Sequence, residues 1–463
     1  ASTTLRSLRM TLAQAVELRA QHLANKPIEV AQVDRDHARI AGLRERLDNQ
    51  TVVGHAPPPD VMRQAGADNA DMLIAVTNSD EVNMVACQVC YSLFRTPTKI
   101  ARIRSASYLT GEGLFSQEHM PTDVLISPER VVTEQIRQLL EHPGALQVLD
   151  FANGRVSLVA VRAYYGGPLV GHELHDLRKH MPKIETRVAA IFRRGRAIIP
   201  EGTTVIEADD EVFFIAANKN IRAVMSELRK LDKPCKRVML AGGGNIGRRL
   251  AKSLESRYQV KLIDHNYDAT KRLSEELEST IVLYGDAADE DLLLEENIEN
   301  TDVFCALTDD DEANILSALQ AKRMGAKKVI AIINRVSYVD LIESGTIDID
   351  IAVSPQQITI GSLLTHIRRG SLVRVHSLRR GAAEAIEAIS LCDRRGSKVV
   401  GRSVEELDLP KDTTIRAIVR GEDVIIAHHD TVIEEHDHVL LFVPDKKQIH
   451  AVERLFQVSA TYL

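Results

Sequence analysis

Short apolar runs at 237–241, 259–263, 280–284, 303–307 and 328–333 alternate with stretches of helical periodicity at 245–255 and 270–278. Strands alternating with helices predict βαβ units and a parallel, doubly wound sheet. Two other regions have a different rhythm. Brief β runs at 155–162, 187–192, 197–199 and 211–216 are separated by turn signals such as Arg194-Gly195 and Glu201-Gly202. Their counterparts lie at 398–400, 415–419, 424–427 and 439–443. These regions predict small β-rich domains with one or two helices each.

The chain also repeats itself. Gly54-His55-Ala56 recurs as Gly285-Asp286-Ala287, and Asp71-Met72-Leu73-Ile74-Ala75-Val76-Thr77 recurs as Asp302-Val303-Phe304-Cys305-Ala306-Leu307-Thr308. Asp80-Glu81-x-Asn83 returns as Asp311-Glu312-x-Asn314 at the same offset of 231. Thr204-Val205-Ile206-Glu207 returns as Thr431-Val432-Ile433-Glu434 at an offset of 227, a drift that one loop absorbs. Two tandem copies follow, joined near Pro234. The expected fold class is α/β, with four domains at 1–130, 140–228, 236–358 and 372–457.

Composition narrows the function classes. The 463 residues are 44% apolar and 27% charged, which is ordinary for globular domains. A net charge of −7 supplies no broad basic field, so no nucleic-acid partner is expected. No apolar run approaches the ~18–20 residues needed to span a bilayer, and no secretory leader is evident. Cys87, Cys90, Cys235, Cys305 and Cys392 form an odd, widely spaced set, so reduced thiols and a cytoplasmic address are expected. Cys87-x-x-Cys90 lies in a helical run without a second such pair. His428-His429 and His436-x-His438 surround the turn residues Asp430 and Asp437 without a third ligand set by spacing. No metal site is expected, and these histidines read as solvated turn residues.

Candidate chemistry centres on Gly242-Gly243-Gly244-Asn245-Ile246-Gly247, which fits G-x-G-x-x-G. It follows a strand-like run and opens a helix, the context such a motif requires. Its glycines permit a tight turn and close approach of backbone N–H groups to a pyrophosphate, and the helix N-terminus adds partial positive charge. Asp264 ends the next strand, where a carboxylate accepts hydrogen bonds from ribose hydroxyls and repels a 2′-phosphate. NAD or an adenine nucleotide is therefore favoured over NADP. Asp286, Ala287, Thr308 and Asp309 lie beyond strand ends, where ligands of open parallel sheets sit. Thr308 and Asp311 read equally well as helix-capping residues.

Further stretches carry a family likeness: Gly66-Ala67-Asp68-Asn69-Ala70, Pro143-Gly144-Ala145-Leu146-Gln147-Val148, Ala163-Tyr164-Tyr165-Gly166-Gly167-Pro168 and Ser377-Leu378-Arg379-Arg380-Gly381. From about Ala20 onward the chain resembles the family of Trk potassium-uptake regulatory proteins, which carry tandem RCK (KTN) modules. The resemblance implies two tandem Rossmann-like doubly wound parallel sheets, each followed by a small α+β domain of the RCK C-terminal type. It implies a non-enzymatic regulatory subunit, cytoplasmic and peripheral on the inner face of the cell membrane. A homo-oligomeric ring would dock beneath a potassium-translocating Trk membrane subunit. NAD(H) and ATP/ADP would bind in the Rossmann clefts, and their exchange would gate potassium flow. The family pattern puts His55, Ala56, Thr77, Asn78 and Arg102 in the first cleft, with Asp34 on the ribose. It puts Gly242 to Ile246, Asp264, Asp286, Ala287, Thr308 and Asp309 in the second.

The start of the chain departs from this pattern. Moving Gly242, Gly244 and Gly247 back by 231 lands on Thr11, Ala13 and Val16, none of them glycine. Residues 1–19 show no strand-like run, and Leu5, Leu8, Leu12 and Val16 recur at helical spacing. The first sheet is therefore expected to lack or distort its central strand, and the first cleft to lack its phosphate cradle. Residues 1–19 read as foreign to the fold, as from an altered reading frame, and nucleotide binding is weighted toward the second copy. Two other functions remain. An NAD-dependent oxidoreductase needs a catalytic acid or base beside the nicotinamide, and none is evident. A scaffold without nucleotide would explain the loss of one glycine loop. NADH turnover would mark the enzyme, and nucleotide binding without turnover the regulator.

Overall fold

The computed structural model describes residues 5–10, 28–46, 50–109, 113–194, 196–230, 234–359, 363, 372–378, 383–392 and 396–457. The chain divides into two compact units, Ala1–Val131 with Gln356–Ile360, and Val132–Pro355 with Gly361–Leu463.

The smaller unit is built on one sheet of β1 (Leu5–Met10), β2 (Ile28–Asp34), β3 (Gln50–Val53), β4 (Met72–Ala75), β5 (Thr98–Arg102) and β6 (Val124–Ile126). All neighbours are parallel, in the order β3-β2-β1-β4-β5-β6. The expectation of a missing central strand is corrected here. β1 is that strand, with Leu5 opposite Ile28 on one side and Ser7 opposite Met72 on the other. A strand with a partner on each edge is held by backbone ladders that do not depend on side-chain periodicity, so context overrides local pattern. The positions of Thr11, Ala13 and Val16 lie outside the described residues. Val33, Met62, Leu73, Ala75, Cys87 and Cys90 share one core. Burial pushes the Cys87 and Cys90 thiols up to about 12 and about 11, so both serve as apolar filler rather than as thiolates.

The larger unit holds three sheets. The first is antiparallel: β7 (Ala145–Phe151), β8 (Val156–Arg162), β9 (Thr186–Arg193), β10 (Arg196–Ile198) and β11 (Glu211–Ala217), in the order β10-β9-β11-β8-β7. The second is parallel: β12 (Arg237–Ala241), β13 (Gln259–Asp264), β14 (Ile281–Tyr284), β15 (Val303–Ala306), β16 (Val329–Ile332) and β17 (Ile351–Val353). Its order, β14-β13-β12-β15-β16-β17, repeats that of the first parallel sheet and is the doubly wound arrangement. The third is antiparallel: β18 (Leu372–Leu378), β19 (Ala383–Ile389), β20 (Thr414–Arg420), β21 (Asp423–Ile426) and β22 (His438–Val443), in the order β18-β19-β22-β20-β21.

Besides β1, the sequence reading passes over β7, β17, β18 and β19. Residues 398–400, read as a strand, form a turn in which the Ser397 hydroxyl accepts from the N–H groups of Val399 (3.3 Å) and Val400 (3.2 Å). β19 is hard to see because it reads Ala-Glu-Ala-Ile-Glu-Ala-Ile, a composition suited to a helix. Its Glu384 and Glu387 are nonetheless buried.

Each small sheet is tied by the same ion pair. Arg193 grips Asp210 with Nε and Nη2, both at 2.8 Å, and its Nη2 also reaches the Val205 carbonyl. Arg420 grips Asp437 in the same two-pronged way, at 2.9 and 2.8 Å, and reaches the Val432 carbonyl. Each aspartate also accepts a backbone N–H, from Glu207 or Glu434, at 2.8 Å. The recurring Thr-Val-Ile-Glu segment is therefore the turn that this pair fastens. The two small sheets then pack face to face, with Phe151, Leu158, Phe192 and Phe213 against Ala385, Ala417, Leu440 and Phe442. His376 sits in this seam, edge-on to Phe151 at 5.1 Å.

Two stability effects follow. Asp437→Ala removes the two-pronged acceptor of Arg420, which is 32% exposed and keeps Glu434 and the Val432 carbonyl, and strips the Glu434 N–H of its acceptor, so urea denaturation is expected to show a loss of about 2 kcal/mol. An unchanged midpoint would contradict this role. His376 is only partly exposed and its Nε2 lies out of solvent. Burial, aided by the Arg374 charge, pushes its imidazole down to about 4. The folded state resists a proton that the unfolded chain takes up below about 6.5. Stability is thus fully present above 6.5 and falls as pH drops from 6.5 toward 4. Urea midpoints at pH 7.5 and 5 should differ by about 2 kcal/mol more in the parent than in His376→Leu. Equal pH slopes would contradict it.

Candidate functional site

The candidate site of the second copy lies at the carboxyl ends of β12, β13 and β15, neighbours in the second parallel sheet. The Gly242 N–H donates to the Ile263 carbonyl at 2.8 Å, so the chain stays in the sheet up to the turn. Gly242 then adopts φ 106°, a left-handed conformation that only glycine enters without strain. A Cβ on Gly247 would stand 1.8 Å from the Gly242 carbonyl oxygen, so the helix Asn245–Leu254 approaches the strand as closely as backbone allows. A Cβ on Gly244 would meet nothing within 4 Å, because this residue faces open space. Gly244 is the N-cap, and no side chain caps the helix. The first-turn amides of Asn245, Ile246 and Gly247 therefore have no intrahelical acceptor, which is the arrangement that binds anions at helix N-termini.

Asp264 closes one side of this loop. Its Oδ2 accepts the Gly243 N–H at 2.6 Å and its Oδ1 accepts the Asn266 N–H at 2.8 Å. Each oxygen keeps a second lone pair for another donor. Tyr284 pairs in register with Asp264 and packs edge-on against Tyr267 at 5.7 Å, leaving two exposed rings beside the carboxylate. Sequence reasoning passed over these tyrosines. The Gly285 N–H donates to the Asp264 carbonyl at 3.1 Å, which brings Asp286 to the same rim. The Asp286 carboxylate accepts the Ala288 N–H at 2.9 Å, and Ala287 packs on the core. Asp309 is exposed.

The other side is set by an asparagine that the sequence reading noticed only as a repeat. Asn314 Oδ1 accepts the Thr308 N–H (2.9 Å) and hydroxyl (2.7 Å), while its Nδ2 donates to the carbonyls of Thr308 (3.0 Å) and Ile332 (2.9 Å). It clips together the ends of β15 and β16. Asp311 accepts the N–H groups of Asn334 and Arg335, both at 2.8 Å, fastening the next turn. The helix Asp311–Arg323 is capped by Asp310, whose side chain accepts the Ala313 N–H. Thr308 and Asp311 thus have structural work, and Thr308 also abuts the glycine loop: a Cβ on Gly242 would lie 3.0 Å from its N.

The first copy repeats much of this framework. Asp34 Oδ1 accepts the Asp36 N–H at 3.0 Å, and the Asp34 carbonyl accepts the Gly54 N–H at 2.9 Å. Asn83 accepts the Thr77 N–H at 2.8 Å and donates to the Arg102 carbonyl at 2.9 Å. Asp80 takes the N–H groups of Arg104 and Ser105. Tyr108 donates to Glu81 at 2.9 Å, as Tyr338 does to Glu312. The strict recurrence of Asp-Glu-x-Asn marks these positions, without showing which groups they hold. His55 and Asn78 are exposed at the rim, Ala56 is buried, and the Arg102 side chain is drawn to Glu129 at 3.2 Å. His438, read as a solvated turn residue, instead lies 2.5 Å from buried Glu387. The strand partner Ile389 fixes it there, so spacing around the turn was a poor guide. No helix among the described residues is long and apolar enough to cross a membrane.

Comparison with known proteins agrees with this architecture. The TrkA-N domain model matches residues 10–128 and 238–355, and the TrkA-C domain model matches 158–229 and 394–457. The Trk system potassium uptake protein TrkA of Halomonas elongata is 63% identical over 443 residues, 96% of each chain. Its namesake from Vibrio alginolyticus is 58% identical, covering 96% of this chain and 97% of that one. That of Haemophilus influenzae is 49% identical, with the same coverage. Among solved structures, the GsuK RCK domain aligns with a TM-score of 0.62 at 18% identity, covering 98% of this chain and 95% of that one. The GsuK channel bound to NAD aligns with a TM-score of 0.61 at 17% identity, covering 98% and 79%. With both domain types present twice and near-full-length identity to these relatives, the chain belongs to the TrkA family of Trk-system potassium uptake proteins.

Proposed function

We propose that this chain is a nucleotide-binding regulatory subunit, not an enzyme, that gates a potassium-translocating Trk membrane protein from the cytoplasmic face. The observation that carries this reading is the Gly244 cradle: open space in front of an uncapped helix N-terminus, with the Asp264 carboxylate beside it. The amides of Gly244 to Gly247 would take the phosphates of NAD(H), ATP or ADP, and Asp264 would take the ribose hydroxyls. Thr308, Asp286, Ala287 and Asp309 would line the rest. That a solved neighbour of the same fold is described as a channel bound to NAD is in keeping with this. In the first copy, Asp34 would take the ribose, with His55, Ala56, Thr77, Asn78 and Arg102 around it.

Four domains, at 1–130, 140–228, 236–358 and 372–457, would form the working parts of a homo-oligomeric ring on the inner face of the membrane. Exchange of nucleotide would alter the ring and so the membrane partner, and the account requires the nucleotides to bind the two shapes with different affinity.

Two glycine variants separate the cradle from the packing. Gly244→Val has room and is expected to melt like the parent, yet its side chain fills the phosphate position. Calorimetric titration with ADP, ATP and NADH should show at least tenfold weaker binding at one site. Gly247→Ala has no room against the Gly242 carbonyl and is expected to unfold the second parallel sheet. Parent-like titrations of Gly244→Val would overturn the cradle. NADH consumption with a small substrate would overturn the regulatory reading.

A further inference from the structure

Among the described residues, the seam between the two small sheets contains a charge without a counter-charge. The offset of 227 that relates the copies pairs Ala189 with Arg416. Each is the extra residue of a β-bulge. On β9 the ladder to β11 passes from Val188 to Ala190, and on β20 the ladder to β22 passes from Ile415 to Ala417. Arg416 is 3% exposed, and its Nε and Nη2 meet no hydrogen-bond partner. It borders a small space with Phe151, Leu158, Ala189, Ile215 and Phe442, from both sheets. The alanine in the first copy makes the room that the arginine in the second copy occupies.

The charged groups nearby do not compensate it. Burial, aided by the charge of Arg187, a second cation, pushes the Arg416 guanidinium down to about 10, still protonated at neutral pH. Arg187 itself donates to the Ala427 carbonyl and, among the described residues, has no carboxylate partner, and Arg178 lies 3.2 Å from His428 Nε2. The acids of the seam are engaged elsewhere. Glu387 Oε1 is held by His438 at 2.5 Å and by the Ala152 N–H at 3.2 Å, its Oε2 accepts no hydrogen bond and lies 3.9 Å from the Arg374 guanidinium, and Glu422 is held by Arg155 at 2.5 Å. An uncompensated buried charge is strongly unfavourable, and buried charges are normally paired. A water would satisfy a donor but not the charge.

We propose that the Arg416 seam is a binding site for a small monovalent anion of the halide class, chloride in the cell. The space measures about 10 Å³, room for the centre of a single-atom ion and not for a phosphate or carboxylate. Nε and Nη2 of Arg416 would hold the ion, Arg187 would add long-range attraction, and the aromatic walls would exclude water. The ion would tie the two small sheets together, making the junction between the copies sensitive to the halide concentration of its surroundings.

The full-length protein tests this directly. Melting temperatures are compared in sodium chloride, sodium bromide and sodium gluconate at equal ionic strength, for the parent and for Arg416→Met. The expected result is a rise of about 2–4 °C in both halides over gluconate in the parent, absent in the variant. Crystals grown in bromide should show an anomalous peak within hydrogen-bond distance of Arg416 Nε or Nη2. Equal melting in all three salts, or density there without an anomalous signal, would overturn the proposal. The bromide crystal and the parent's salt comparison decide the matter even if Arg416→Met does not fold.

Discussion

The contact on which the second copy depends is between two backbone elements. The first turn of the helix Asn245–Leu254 rests against the Gly242 carbonyl, at a separation that leaves no room for a Cβ on Gly247. That approach aims the uncapped helix N-terminus across the carboxyl end of the sheet, rather than past its face. It also forces Gly242 into a left-handed turn and leaves Gly244 facing open space. Asp264 then fixes the far side by accepting the Gly243 N–H. A cleft that offers unpaired amides, a carboxylate and two exposed tyrosine rings is thus a consequence of how near a helix and a strand can come.

Around this contact the two copies share a set of polar fasteners. Asn83 and Asn314 clip neighbouring strand ends, Asp80 and Asp311 hold the turns that follow, and the Arg193–Asp210 and Arg420–Asp437 pairs close the small sheets. These groups are buried or half-buried, so removal of one partner leaves the other unsatisfied, which is far costlier than losing an exposed pair. Divergence is found where the copies touch each other. Ala189 and Arg416 occupy equivalent bulges in one seam, so the small sheets make an asymmetric joint from similar halves.

Much of this was legible in the sequence, because periodicity reports burial. The strands of the second parallel sheet carry apolar runs, and the G-x-G-x-x-G lies between a strand and a helix as its chemistry requires. The internal offsets of 231 and 227 gave the tandem organisation. What escaped were elements whose stability comes from outside themselves. β1 is held by ladders on both edges, and β19 buries glutamates in a segment whose composition suits a helix. The roles of Asn314 and Asp311 were invisible for a different reason. Their partners, Ile332, Asn334 and Arg335, are about twenty residues away, and only the fold brings them together.

The central claim is that the amides at the Gly242–Gly247 turn are the phosphate contacts. Hydrogen–deuterium exchange of the full-length protein, with and without saturating ADP, tests it most directly. The account predicts slowed exchange concentrated in the peptide that carries Gly243 to Gly247, with a smaller effect at Thr308. Binding of ADP that leaves exchange in that peptide unchanged would contradict it.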